Sequence, residues 1–400
     1  MMAPERFSDL PEYAFPRLRR LLDGRPPGGA TVDMTIGEPR HPMPGIVAEV
    51  LAREAGGFAK YPPNEGTPGL RGAIAEWIGR RYGAEADPDR EVLALNGTRE
   101  GLFNAALALC PEEKRGRPAV LIPNPFYQVY AVAARAVGAE PVYVNATAAT
   151  GFLPDFDAVP ADVLDRTAVA YLCSPSNPQG AVADAGYWRR LLELAERHDF
   201  VVFADECYSE IWRDAPPPGA WQVAGAMGLS RERVVIFHSL SKRSNLPGLR
   251  AGFCATGAGN MARLKQLRAY AGAPLPLPVQ HAAEAVWRDE THVEASRALY
   301  HEKYRLADGI LGEWPGYHPP AGGFFLWLRV PERFGGGEAA AVAAWERAGV
   351  RVLPGAYLSR DTAEGNPGHG YVRAAMVAER DEVARGLAAL RAVFDEEGNG

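Results

Sequence analysis

Six short runs, apolar throughout except for Glu91 at the start of the first, recur through the middle of this chain, at residues 91–95, 119–122, 142–144, 168–172, 201–204 and 234–237. Most break off on polar or turn-forming residues, and helical patterns fill the stretches between them. Strands that do not alternate polar with apolar residues must be covered on both faces. Such strands alternating with helices predict an α/β fold with a mostly parallel central sheet. A chain of 400 residues exceeds one ordinary core, so a second, smaller domain is expected. The βα rhythm fades near residue 291, where a polar helical stretch carries Tyr300, His301 and Lys303, followed by strand-like runs at 324–328, 350–353 and 371–374. Residues 46–290 therefore read as the large domain and 291–400 as a smaller α+β domain. Residues 1–45 also lack the rhythm and read as an N-terminal arm and part of the small domain.

Composition narrows the function classes. The net charge is -6 with no Lys/Arg stripe, which argues against a nucleic-acid partner. No run of 18 apolar residues occurs, so no membrane span is expected, and Met1–Arg6 lacks the apolar core of a secretory signal. Cys110, Cys173, Cys207 and Cys254 are scattered without CxxC spacing, which reads as free thiols in a cytoplasmic protein. The eight histidines do not pair at i, i+4, so no metal site is expected. The tail from Asp395 to Gly400 reads as frayed.

In open α/β sheets, ligands bind at the carboxyl ends of the strands. Four ends here carry suggestive groups. The first run gives way to Asn96-Gly97-Thr98-Arg99 just before a helix, where free N–H groups and the helix dipole favour an anion. The fourth leads to Asn177-Pro178, the fifth to Asp205-Glu206-Cys207-Tyr208, and the sixth to Ser239-Leu240-Ser241-Lys242, with Arg250 eight residues on. Taken singly these have ordinary readings: an N-cap, a turn, a solvated lysine. A lysine at the mouth of a buried sheet can, however, lose its proton by desolvation and attack a carbonyl.

Together, Asn177-Pro178, Asp205-Glu206-Cys207-Tyr208, Ser239-Leu240-Ser241-Lys242 and Arg250 resemble the class I/II aminotransferases of the fold-type I pyridoxal-phosphate superfamily. The resemblance begins at Ile36-Gly37-Glu38-Pro39, passes through Tyr61-Pro62-Pro63 and Gly66-Thr67-Pro68-Gly69-Leu70-Arg71, and ends at Tyr371-Val372-Arg373. It implies the fold-type I architecture and pyridoxal 5′-phosphate as cofactor, held covalently by Lys242. It further implies Lys242, Asp205 and Tyr208 as the catalytic group. Asp205 would pair with the ring nitrogen, and Tyr208 and Asn177 would bond the ring 3′-oxygen. The phosphate would rest on Gly97, Thr98 and Arg99, with Ser239 and Arg250 adding a hydroxyl and a cation. Tyr127 would stack on the ring, with Phe126 as the alternative. Gly37, Asn177 and Arg373 would bind the substrate, Arg373 as a fork on the α-carboxylate. Tyr61 would reach the phosphate of a neighbouring subunit, implying a homodimer with shared sites. The partners would be an amino acid and a 2-oxo acid.

Within the superfamily the sequence is most similar to the succinyldiaminopimelate transaminases of bacterial lysine biosynthesis. Segments 241–250, 275–280, 287–293 and 353–358 carry this likeness, with Gln179 replacing a more usual Thr. The implied reaction uses glutamate as donor and N-succinyl-2-amino-6-oxopimelate as acceptor. Arg40 and Arg243 are the candidate readers of the acceptor's distal carboxylates. Aspartate-, aromatic- or methionine-type aminotransferases share every catalytic residue, and a carbon–sulfur lyase or decarboxylase of this fold would use Lys242 too. A transcriptional regulator would need a DNA-binding module, for which the proline-rich segment before Asp33 offers no room.

Overall fold

The computed structural model describes residues 7, 8, 10 and 12–395. The Met1–Arg6 segment and residues 396–400 of the acidic tail lie outside the described residues. Twelve strands are described: β1 (Val32–Asp33), β2 (Val92–Leu95), β3 (Ala119–Asn124), β4 (Glu140–Asn145), β5 (Thr167–Cys173), β6 (Val201–Asp205), β7 (Val234–Ser239), β8 (Gly252–Ala255), β9 (Phe325–Arg329), β10 (Val350–Arg351), β11 (Leu353–Pro354) and β12 (Tyr371–Ala375). Seven form one sheet in the order β2-β8-β7-β6-β5-β3-β4. The ladders from β7 to β4 are all parallel, and β8 alone runs against its neighbours.

The apolar runs lack alternation because both faces of the sheet are covered. Val92, Ala94, Leu172, Val202, Ala204 and Ile236 face one core with the helices Pro68–Tyr82, Ala185–His198 and Leu277–Arg288. Leu93, Leu95, Tyr171, Phe203, Val235 and Phe237 face the other, with the helices Thr98–Leu109, Val129–Ala136 and Ala258–Arg268. Consecutive residues thus alternate between two dry faces.

Sequence reading did not find β8. It is four residues long, opens on glycine, and is inserted antiparallel between β2 and β7. A Cβ on Gly252 would lie 2.6 Å from the His238 carbonyl oxygen, so only glycine permits this pairing. The run at 350–353, expected as one strand, is two. β10 pairs in parallel with β1, and β11 pairs with β12 in a second sheet of order β11-β12-β9. A third core joins Val32 and Met34 to Tyr300, Tyr304, Leu326, Val372 and Leu390. Residues from both ends of the chain therefore share one interior. No helix among the described residues is long and apolar enough to cross a membrane.

What matters for function is the carboxyl edge of the large sheet. The register sets Asp205 opposite both Cys173 and Phe237, so the loops following β5, β6 and β7 emerge side by side. Between β3 and β5 the winding reverses, which opens a crevice at that edge. Trp77, 1% exposed, braces the sheet from beneath, its ring 5.0 Å from Trp287, 5.9 Å from Phe253 and 4.8 Å from His238. Trp77→Ala is expected to destabilise the protein by about 3–5 kcal/mol, measured as a lower urea midpoint at unchanged slope. A loss below about 1 kcal/mol would mean that the cluster repacks freely.

Candidate active site

The crevice encloses a cavity of about 300 Å³. Eleven of the thirteen residues singled out from sequence line it: Gly37, Thr98, Arg99, Tyr127, Asn177, Asp205, Tyr208, Ser239, Lys242, Arg250 and Arg373. Phe126, the alternative to Tyr127, lines it as well. Gly97 does not line it but shapes it. Its φ is +80°, and a Cβ there would fall 2.0 Å from Arg250 Nη2, so the glycine lets the guanidinium lie across the turn. Tyr61 is fully exposed and is not brought to the cavity of its own chain.

Lys242 sits in the short helix Leu240–Arg243, capped by Ser239, whose Oγ accepts from the Ser241 N–H at 3.1 Å. The cap turns the chain sharply at the end of β7 and directs the lysine into the cavity. Its ammonium donates to the Gly37 carbonyl and lies 5.4 Å over the Phe324 ring. Burial lowers its pKa to about 8, aided by Arg373 and Arg250 and opposed by Cys207 and Glu38. Gly37 itself is required by packing, since a Cβ would meet Phe325 Cζ at 2.4 Å.

Asp205, 5% exposed, closes the floor. Its Oδ2 accepts from the Tyr130 hydroxyl at 2.7 Å and its Oδ1 from the Cys207 N–H at 3.3 Å. Burial raises its pKa while these hydrogen bonds lower it. On β12, Arg373 donates to Asn177 Oδ1 at 3.1 Å and to the Thr35 carbonyl at 2.6 Å, and lies 4.1 Å over the Phe325 ring. Its Nε is buried without a partner. Desolvation pulls its pKa down to about 10. A buried cation with neutral partners and an idle N–H is a receptor for a carboxylate.

Lys242, Arg250, Arg373 and Arg99 all line the cavity, and Asp205 is the one acidic side chain among the described lining residues. The site therefore suits a ligand with several negative groups. The two cations expected to read a distal carboxylate do not line it. Arg243 is buried beneath the site, bonded to Glu290 at 2.7 Å and to the Val286 carbonyl at 3.1 Å. Arg40 is turned outward toward Glu382 at 3.5 Å. Arg99 stands in their place: it is exposed at the wall, and its Nε donates to the Tyr127 hydroxyl at 2.6 Å. Sequence reading also missed Tyr13, Phe15, Ile36, Gln128 and Leu358 on the cavity wall. Ile36 and Leu358 fall within segments that carry the family likeness, but nothing local assigns any of the five to the wall, because the segments that bear them are distant in sequence.

A second cavity, of about 280 Å³, lies between residues 149–157 and the helix Ala185–His198. Its tyrosine, Tyr187, already donates to the Pro154 carbonyl at 2.5 Å, and its cation, Arg190, faces Asp157 at 4.0 Å. It holds no comparable chemistry.

Only a neutral amine attacks a carbonyl, so the reactivity of Lys242 rises as pH rises through its pKa. In protein free of bound carbonyl compounds, its labelling by an aldehyde reagent is expected to reach half its maximum near pH 8. Peptide mapping after borohydride reduction reads the extent. A midpoint near 10, that of a solvated lysine, would show that burial does not activate it.

The set of groups fits pyridoxal phosphate. Thr98, Ser239 and Arg250 gather beside the helix turn that Gly97 opens, Asp205 offers a carboxylate, Tyr127 a flat ring and Lys242 an amine. The model for aminotransferase class I and II matches residues 30–390. An LL-diaminopimelate aminotransferase of Desulforudis audaxviator is 35% identical over 396 residues, covering 97% of this chain and 96% of its own. An aminotransferase of Neisseria meningitidis superposes with a TM-score of 0.93 at 38% identity, covering 98% of this chain and 99% of its own. The aminotransferase AspB of Helicobacter pylori does so at 0.89 and 30%, covering 99% and 100%. This chain belongs to the class I and II aminotransferases, enzymes of the fold-type I group that work with pyridoxal phosphate.

Proposed function

We propose that this enzyme moves an amino group between glutamate and a long 2-oxo acid of the diaminopimelate series that carries further carboxylates, with N-succinyl-2-amino-6-oxopimelate as acceptor. The observation that carries the substrate class is Arg99, a cavity-lining cation with no acidic partner among the described residues. Three of the four cations already have work. Lys242 holds the cofactor, Arg250 meets its phosphate beside Gly97, Thr98 and Ser239, and Arg373 forks onto the substrate α-carboxylate with Gly37 and Asn177 at its side. The guanidinium of Arg99 is left to meet a second carboxylate at the mouth.

When bound, pyridoxal phosphate supplies a protonated ring that draws electrons from the substrate α-carbon. Asp205 would pair with the ring nitrogen and keep its proton in place. Tyr208 and Asn177 would bond the ring 3′-oxygen, and Tyr127 would lie against the ring face. With its pKa near 8, the Lys242 amine would be neutral for an appreciable part of the time near neutral pH and would move a proton at the substrate α-carbon. Phe126, Leu353, Leu358 and Phe325 give the cavity an apolar lining that would limit water beside the substrate.

A second reading replaces the succinylated acceptor with its unsuccinylated counterpart, the 2-amino-6-oxo acid whose transamination gives LL-diaminopimelate. It is favoured by the relatives of that name, including the one from Dehalococcoides mccartyi at 31% identity. A substrate panel separates the two. On the first reading, kcat/KM for the succinylated oxo-acid exceeds that for oxaloacetate, phenylpyruvate and the unsuccinylated compound by at least about tenfold. Arg99→Ala should then lower it roughly 10- to 100-fold, the scale of a charge-assisted hydrogen bond, with a smaller effect on pyruvate. Equal rates across the panel would mark a general aminotransferase, and an unsuccinylated preference would establish the second reading.

The full exposure of Tyr61 supports a homodimer in which it completes the partner's phosphate site. Mixing Tyr61→Phe and Lys242→Ala subunits is expected to regenerate activity above either parent, since each hybrid holds one site with both native residues. Verified hybrids that stay as inactive as their parents would mean the sites are not shared.

A further inference from the structure

We propose that Tyr130 is a positioning residue for Asp205: its hydroxyl keeps the carboxylate anionic and fixes its orientation toward the cofactor ring nitrogen. The inference rests on the reading of Asp205 as that nitrogen's partner. Tyr130 itself is absent from the cavity lining and from the motifs that identify the family.

The geometry is specific. Tyr130 is wholly buried, and its hydroxyl donates to Asp205 Oδ2 at 2.7 Å. A hydroxyl in a dry core is costly unless bonded, so phenylalanine would fill the same space more cheaply. The ring is held in place by a parallel stack on Tyr171, with centroids 4.4 Å apart and planes inclined 13°. Tyr171 is pinned in turn, since its hydroxyl donates to the Leu102 carbonyl at 2.8 Å and Phe203 meets it edge-on at 5.2 Å. On the cavity side, Tyr127 contacts Tyr130 at a right angle, 5.8 Å between centroids. A column of three tyrosines thus runs from the cavity wall to behind the carboxylate.

Asp205 needs such a donor. Burial pushes its proton affinity up, and the Tyr130 hydrogen bond is the foremost influence pulling it down. The titratable groups facing it are Tyr127 and Tyr130 from the segment after β3, Cys173 at the end of β5, Cys207 and Tyr208 after β6, and His238 on β7. None of these is a cation held within hydrogen-bonding distance of the carboxylate, so the anion depends on neutral donors until the ring nitrogen arrives. Removing the hydroxyl raises the proton affinity of Asp205, so the ring-nitrogen proton would shift toward the carboxylate and leave less positive charge on the ring. The nitrogen joining Lys242 to the cofactor then holds its proton to higher pH.

The test uses the intact enzyme and two readouts other than turnover: cofactor affinity of the apoenzyme, and the pH midpoint of visible absorbance of the loaded protein. Tyr130→Phe keeps the stack and loses one oxygen. It is expected to raise the cofactor Kd about tenfold and to shift the midpoint upward, in the direction of Asp205→Asn. In the Asp205→Asn background the same substitution should change Kd less than about twofold, because the two act as one unit. Tyr171→Phe loosens the column but spares the Tyr130 hydroxyl, and should leave the midpoint where it is. An unmoved midpoint in Tyr130→Phe overturns the proposal. So does a full effect of Tyr130→Phe in the Asp205→Asn background, or a Tyr171→Phe shift as large as that of Tyr130→Phe. If Asp205→Asn itself changes neither readout, the reading of Asp205 fails instead. Thermal midpoints measured on each variant confirm that folded protein is being compared.

Discussion

Everything at the carboxyl edge of the large sheet depends on keeping cations dry without neutralising them. Arg373 is buried and Lys242 half-buried, and neither faces a carboxylate within salt-bridge distance among the described residues. An unpartnered buried charge costs several kcal/mol, and a looser protein would relieve that cost by letting in water or swinging an acid across. This one supplies carbonyls and aromatic faces instead: the Gly37 and Thr35 carbonyls, Phe324 and Phe325. Such partners satisfy the donors without cancelling the charge. The cations remain available to an anionic ligand, and the amine stays easy to deprotonate.

The segment from Thr35 to His41 supplies those carbonyls, so it must be anchored. The β1–β10 ladder and the packing of Met34 hold one end. At the other end His41 is buried against Tyr300 and Ser296, and its Nε2 accepts from Lys303 at 2.7 Å. Burial and the neighbouring ammonium push the pKa of His41 down to about 4. The imidazole is therefore neutral at ordinary pH and serves as an acceptor. Lys303, in the helix Thr291–Leu311, thereby ties a segment near the N-terminus to the C-terminal third of the chain. The polar helical stretch noted from sequence is thus partly an inward-facing anchor.

What could be read from sequence was what is encoded locally. A covered strand shows itself as a short apolar run, and a strand end at the ligand edge as an abrupt polar residue, so the loops bearing Asn177, Asp205 and Lys242 were identifiable before their proximity was known. Gly97 was assigned to the phosphate turn, but the close approach of Arg250 that requires the glycine belongs to three dimensions. β8 escaped because nothing in Gly252–Ala255 distinguishes it from a loop until the His238 carbonyl lies against it. Arg40 and Arg243 misled because adjacency to a motif says nothing about pairing. Their acids, Glu382 and Glu290, are 342 and 47 residues away. Tyr130 follows Tyr127 by three residues, across the turn that leads into the helix Val129–Ala136. Its target, Asp205, is 75 residues distant.

The same distinction explains why the reaction class is written more plainly than the substrate. The groups proposed to hold the cofactor have their spacing fixed by the sheet: a lysine after one strand, an acid at the end of its neighbour, and a glycine turn before a helix. A chain that keeps the sheet keeps their order. The outer wall is assembled from Tyr13 and Ile36 near the N-terminus, Gln128 after β3 and Leu358 after β11, pieces that meet only when the whole chain is folded. Each can change without disturbing the sheet, since Gln128 and Leu358 stand on connecting segments and Tyr13 and Ile36 lie outside the large sheet altogether. Discrimination between acceptors is then a matter of a few kcal/mol distributed over those contacts. Arg99 bridges the two regimes. Its backbone belongs to the turn that Gly97 opens after β2, whereas its side chain donates to the Tyr127 hydroxyl at the cavity wall. On the proposed function, a single residue would link cofactor placement to the recognition of a distant carboxylate.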